Sequence, residues 1–164
     1  NDYVVQSYYT EGVSIYDVSD PTNIVEVGHY DTSPFTGDGF NGVWGVYPFL
    51  PSGNLLVSDI EQGLFILGPT YTQACWLEGL ITNASTSAPV DQATVTLNGT
   101  TAFDVTDQFD GLYSTGWATA GTYEVTVSAP GYLSQTVQGV SLTNGQVMVL
   151  NVQLIPLVPF TLAG

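Results

Sequence analysis

A chain of 164 residues carries 15 carboxylates, one histidine and neither lysine nor arginine, for a formal charge of −15. Charged residues make up 9% of it, where globular chains average about a quarter. Nucleic acids are gripped mainly by cations on phosphates, and anionic membranes by basic patches, so both are excluded as partners. The hydrophobic share of 44% is enough to build real cores and argues against disorder. No apolar run is long enough to span a bilayer. The length allows one large domain or two small ones. The chain begins Asn1-Asp2-Tyr3 with no methionine or signal peptide. That start fits either a trimmed chain or a processed piece of a larger exported protein. A lone cysteine, Cys75, cannot form an internal disulfide and reads as a buried, inert thiol.

Residues 1–73 are rich in Tyr, Gly, Pro and Asp and read as short strands broken by turns, with no helical period. The spacing predicts strands over 3–9, 12–18 and 24–30, the last two separated by the turn Ser19-Asp20-Pro21-Thr22-Asn23. A loop follows through Pro34, Gly37 and Gly39. A strand over 42–49 then leads to a hairpin of 55–59 and 63–67 around Ile60-Glu61-Gln62. Tyr9-Thr10-Glu11-Gly12-Val13-Ser14-Ile15-Tyr16-Asp17 echoes Ile60-Glu61-Gln62-Gly63-Leu64-Phe65-Ile66-Leu67 at an offset of 51 residues. That offset is the length of a β-propeller blade, a unit of about four strands.

These strings carry a resemblance. Ser7 through Pro21, Gly42 through Asn54 and Val57 through Leu64 resemble the repeat of the LVIVD-type propeller proteins. They are most similar to the choice-of-anchor B family of exported bacterial surface proteins. The resemblance covers roughly residues 3–67 and implies part of a longer propeller. It carries over no catalytic residues, because none are established for the family. A stretch this short cannot close a ring, since each blade buries its faces on neighbours.

Residues 74–155 alternate more cleanly. Ala93, Val95 and Leu97 face one way, as do Tyr123, Val125 and Val127, and later Met148, Leu150, Val152 and Leu154. Period-two patterning of this kind marks antiparallel sheets covering a core on one side. Turn signals at Asn98-Gly99, Asp110-Gly111, Ala120-Gly121, Pro130-Gly131 and Asn144-Gly145 space about seven strands, which predicts a β-sandwich. Leu77-Glu78-Gly79-Leu80-Ile81-Thr82, Pro89 through Val95, Thr106 through Tyr113 and Gly121 through Tyr132 resemble the transthyretin-like, carboxypeptidase-regulatory domain. The resemblance implies a non-catalytic spacer or adhesive module on an exported protein. Phe109 departs from the family's acidic turn pattern.

Few residues offer chemistry. Asp104, Asp107 and Asp110 are spaced by three around a glycine turn; clustered oxygens of this kind hold calcium, and Asp110-Gly111 is equally a plain turn pair. Asp17, Asp20, Asp59 and Glu61 sit at turns, either capping them or rimming a propeller face. His29 matches no metallohydrolase spacing and reads as a satisfied strand histidine. Nucleophile-elbow and phosphate-loop motifs are missing from the sequence. Asn83-Ala84-Ser85 and Asn98-Gly99-Thr100 are formal glycosylation sequons. Among the aromatics, Trp44 and Trp76 are expected to pack, and Trp117 to present an exposed contact.

An apolar tail, 156–164, follows the last strand. Leu157, Phe160 and Leu162 would either fold back on their own domain or join a neighbour's sheet edge, with Pro156 and Pro159 confining them to an edge. The expectation is an all-β chain: a partial propeller segment, then a seven-stranded transthyretin-like or Ig-like sandwich. Its expected work is non-enzymatic and extracellular, as a self-assembling subunit of a surface fibre or filament. Its partners would be other copies of itself in head-to-tail contact, with calcium as a candidate cofactor. The alternative is an adhesion module for carbohydrate or another cell-surface ligand.

Overall fold

Short alternating runs closed by glycine and Asx turns can bury a face only by pairing as sheets. A computed structural model describes residues 2–37 and 39–158, and among these every regular element is a strand. The chain divides into two units, Asn1–Ala74 and Cys75–Gly164.

In the first unit, β1 (Tyr3–Ser7), β2 (Val13–Asp17) and β3 (Val25–Tyr30) form one antiparallel meander. β4 (Val43–Tyr47), β5 (Leu55–Asp59) and β6 (Gly63–Leu67) form another. Alternate residues of both sheets meet in one core of Val13, Ile15, Val43, Leu55 and Val57. The 51-residue echo superposes the β1–β2 hairpin on the β5–β6 hairpin. Its two glycines share the left-handed backbone, Gly12 at φ 81° and Gly63 at φ 86°, which a Cβ would strain. The four strands between those glycines, β2 to β5, do not make one sheet; they are divided between the two three-stranded sheets. Tyr9 joins the sheets, its N–H donating to Val43 O (3.1 Å) and its carbonyl accepting from Val43 N–H (2.8 Å).

In the second unit, β7 (Cys75–Asn83) is flanked by β10 (Leu112–Trp117) and β13 (Val147–Val149), and β14 (Val152–Leu154) also pairs with β7. β12 (Gln135–Leu142), β11 (Gly121–Ser128), β8 (Thr94–Leu97) and β9 (Phe103–Val105) form the opposing sheet in that order. β13 and β14 run parallel to β7 and are one strand broken at Leu150-Asn151. At the break Leu150 N–H donates to Glu78 O and Leu80 N–H donates to the Asn151 side-chain oxygen. Counted so, the described residues give seven strands. Leu77, Ile81 and Tyr113 of one sheet pack on Val95, Leu97, Val125 and Val127 of the other, the closed core of a β-sandwich. The start of the tail folds back on its own unit: Leu133 N–H donates to Ile155 O and Leu157 N–H to Gly131 O. Phe160 and Leu162 lie outside the described residues.

Candidate functional site

Asp17, Asp20, Asp59 and Glu61 of the first unit serve its backbone. Asp17 is fully buried and accepts from Ser19 N–H (2.9 Å), Ser19 Oγ (2.6 Å) and Ala74 N–H (2.8 Å). Burial pushes its carboxyl up, and the three hydrogen bonds more than offset this, leaving it below the ordinary range. Asp59, also buried, is lowered against the same desolvation by Thr32 Oγ1 (2.6 Å) and the N–H groups of Glu61 and Gln62. Asp20 caps Thr22, and Glu61 accepts Gly42 N–H at 2.9 Å. The three aspartates cap their own turns, and Glu61 ties the β5–β6 turn to the residue before β4.

Asp104, Asp107 and Asp110 of the second unit likewise accept backbone N–H groups. Asp104 accepts Val105 N–H and, from the neighbouring strand, Ser114 N–H (2.7 Å). Asp107 accepts Phe109 N–H, and Asp110 accepts Leu112 N–H. Among the described residues, no three His, Cys, Asp or Glu side chains converge as a metal site would. Both sequon asparagines use the nitrogen that would carry a glycan: Asn83 Nδ2 donates to Tyr132 Oη and Asn98 Nδ2 to Thr126 Oγ1. Cys75 is free and fully buried, and desolvation raises its thiol pKa.

Two tryptophans depart from expectation. Trp117 is partly buried; it shares the inward side of β10 with Tyr113 and Thr115 and packs on the sandwich core. Trp44 does not pack in its unit's core. It is the extra residue at a bulge in β4 and is 67% exposed, touching Tyr9 edge-on. Trp76 is buried. Leu157, held by its backbone, leaves its side chain exposed.

The second sheet of the first unit also presents apolar side chains outward. The face of β4–β5–β6 turned away from the core carries Tyr47, Leu56 and Ile66 in one cross-strand row and Gly45, Ser58 and Leu64 in the next. Leu64 is 65% exposed, Ile66 64% and Tyr47 51%. This sheet is apolar on both sides. The signal for it lay in Leu55-Leu56-Val57 and Leu64-Phe65-Ile66-Leu67, where alternation gives way to unbroken apolar runs, the pattern of a strand covered on both faces.

The outward face of β1–β2–β3 is different in kind. A hollow of about 260 Å³ is lined by Gln6, Tyr8, Glu11, Tyr16, Glu26 and His29. His29 Nδ1 lies 3.3 Å from Ser14 Oγ and 3.6 Å from Glu26 Oε1. Both neighbours meet the same ring nitrogen, so the trio cannot relay a proton as a Ser-His-acid triad does, which needs both nitrogens engaged separately.

The model of the carboxypeptidase regulatory-like domain family matches residues 77–155. No curated protein matches the chain. Two solved chains similar to it come from crystal structures of interface mutants of a type II cohesin–X-dockerin complex from Acetivibrio cellulolyticus. The C-terminal interface mutant matches at 29% identity and a TM-score of 0.40, over 51% of this chain and 55% of that one. The N-terminal interface mutant matches at 31% identity and a TM-score of 0.38, over 46% of this chain and 51% of that one. The chain thus spans about half the length of these solved chains.

Proposed function

We propose that the chain is a non-catalytic assembly module of an exported structural protein, working at the cell surface as part of a fibre or filament. The observation that carries this reading is the outward apolar face of β4–β5–β6. Contiguous exposed apolar surface is unusual on a solitary protein and marks contact sites. The internal repeat indicates what fits there. At an offset of 51, Leu56, Ser58, Leu64 and Ile66 correspond to Val5, Ser7, Val13 and Ile15. Those belong to a sheet whose core face meets β4–β5–β6. A further sheet of the same kind therefore suits the open face, in keeping with the first unit as part of a β-propeller. The carboxypeptidase regulatory-like match over the second unit agrees with a spacer role. A chain without lysine or arginine also offers trypsin-like proteases nothing to cut after, which suits an exposed extracellular life.

Sedimentation over a range of concentrations, with electron microscopy in the presence and absence of a calcium chelator, tests the reading. Copies should associate, and loss of order on chelation would place calcium in the assembly. The double variant Leu64→Ser/Ile66→Ser, at exposed positions, should keep its strand signature in circular dichroism and associate at least about tenfold more weakly. A wild-type chain that stays monomeric throughout overturns the proposal.

The hollow on β1–β2–β3 favours a second reading, adhesion to a neutral saccharide. Tyr8 and Tyr16 offer ring faces, while Gln6, Glu11 and Glu26 offer acceptors for hydroxyls. A glycan screen in which Tyr8→Ala abolishes binding would support it. No binding by the wild-type chain would remove it.

A further inference from the structure

We infer that β12 is a self-pairing edge, joining β12 of a second copy in antiparallel register so that two four-stranded sheets become one continuous sheet. The inference rests on the self-assembly reading and names the surface that carries it. β12 ends the sheet order and runs eight residues, Gln135–Leu142, without a proline or a charge. Gln135, Thr136, Gln138, Gly139 and Ser141 are exposed along it. Natural edge strands are usually kept short, charged, bulged or covered, because their open N–H and C=O groups template further pairing.

The other edges of the same sandwich carry such protection. β9 is three residues long. On the edge of β10, Ser114 N–H is already taken by the Asp104 carboxylate at 2.7 Å. β13 and β14 are split at Leu150-Asn151. β12 has one such device, the β-bulge between Val137 and Val140 that holds Gly139 at φ 75°, with regular antiparallel pairing on either side of it.

Charge selects the occupant. All carboxylates lie at or before Glu124, and from Val125 to Gly164 no residue is charged. Two copies at −15 repel wherever their acidic surfaces meet, and a like charge directly opposite across a strand pair destabilises it. An uncharged edge is where such copies can approach. A basic partner would be drawn instead to the carboxylates elsewhere. A pairing of β12 with itself about a two-fold axis brings two uncharged edges together, and each strand contributes the same groups.

The test uses the whole chain in sedimentation equilibrium, with amide exchange followed at low and high concentration. Raising the concentration should slow exchange within 135–142. Thr136→Glu/Gln138→Glu alters two exposed side chains; it should keep the wild-type circular dichroism and associate at least about tenfold more weakly. Mixing it with Thr136→Lys/Gln138→Lys should restore association. If the chain associates while the Glu variant matches wild type and protection falls elsewhere, β12 is the wrong surface and self-assembly stands. If the wild-type chain never associates, the assembly reading fails and this inference with it.

Discussion

At the scale of single residues, the buried carboxylates set a pH dependence with a definite sign. Asp17 is held below its ordinary range by three hydrogen bonds that outweigh its desolvation. A depressed folded-state pKa contributes stability that is present above the unfolded value, about 3.9, and lost as pH falls through the folded one. Asp17→Asn should therefore destabilise the chain at neutral pH by about 1–3 kcal/mol, the range for a hydrogen bond to a buried charged group. The gap between variant and wild-type melting temperatures should close as pH drops below about 4. A gap that does not change with pH would mean that shape, and not charge, makes Asp17 necessary. Gly79 is required for space. A Cβ there would stand 2.1 Å from Leu150 O, the carbonyl that also accepts the Tyr113 hydroxyl at 2.7 Å. Gly79→Ala must push the broken β13–β14 strand off β7 or tilt β7 itself. A loss of more than about 2 kcal/mol in urea unfolding is expected, within the range of overpacked cores.

Among elements, legibility followed how many sides of a strand are covered. β8, β11 and the β13–β14 strand cover one core, so their alternation displayed both register and sandwich in advance, and the seven strands could be counted from their turns. Strands of the first unit were placed correctly to within a residue or two, and the 51-residue echo anticipated the paired glycines at 12 and 63. Their division into two sheets of three was not legible, because pairing across the Asp31–Phe40 loop depends on Tyr9 meeting Val43, a contact with no local signal. Side-chain roles were harder still. Trp117 looked exposed from its polar neighbours, yet strand parity turns it inward. Asp104 was read as a candidate cation ligand or part of a plain turn; its link from β9 to Ser114 of β10 had no signal in the sequence. That last role predicts that Asp104→Ala frees the Ser114 N–H on the β10 edge and lowers stability by about 1–2 kcal/mol. Urea titration should detect this, with the Ser114 amide exchanging faster than in wild type. An unchanged Ser114 amide would show that the carboxylate is dispensable to that edge.

For the molecule as a whole, composition and closure have to be satisfied together. Self-pairing of β12 about a two-fold closes on itself and yields a dimer; an extended fibre needs a second, different contact. The outward face of β4–β5–β6 is a candidate for it, since it lies in the other unit and is apolar where β12 is polar but uncharged. Neither contact uses ion pairs, for the chain has no lysine or arginine to make them. Charge therefore opposes assembly, and dissolved salt should act against that opposition. Screening shortens from about 30 Å at 0.01 M to about 3 Å at 1 M. Copies at −15 should accordingly associate more tightly as sodium chloride rises across that range, the reverse of a complex held by opposite charges. Sedimentation at matched protein concentrations checks the slope. Association that weakens with sodium chloride would mean that an attraction between unlike charges holds the copies, and with no lysine or arginine such an attraction falls to His29 or to a bound cation. Repeating the titration with a chelator would then separate the two cases, because a cation-bridged contact is lost on chelation at every salt concentration, whereas a contact through His29, like backbone pairing and apolar burial, is indifferent to it.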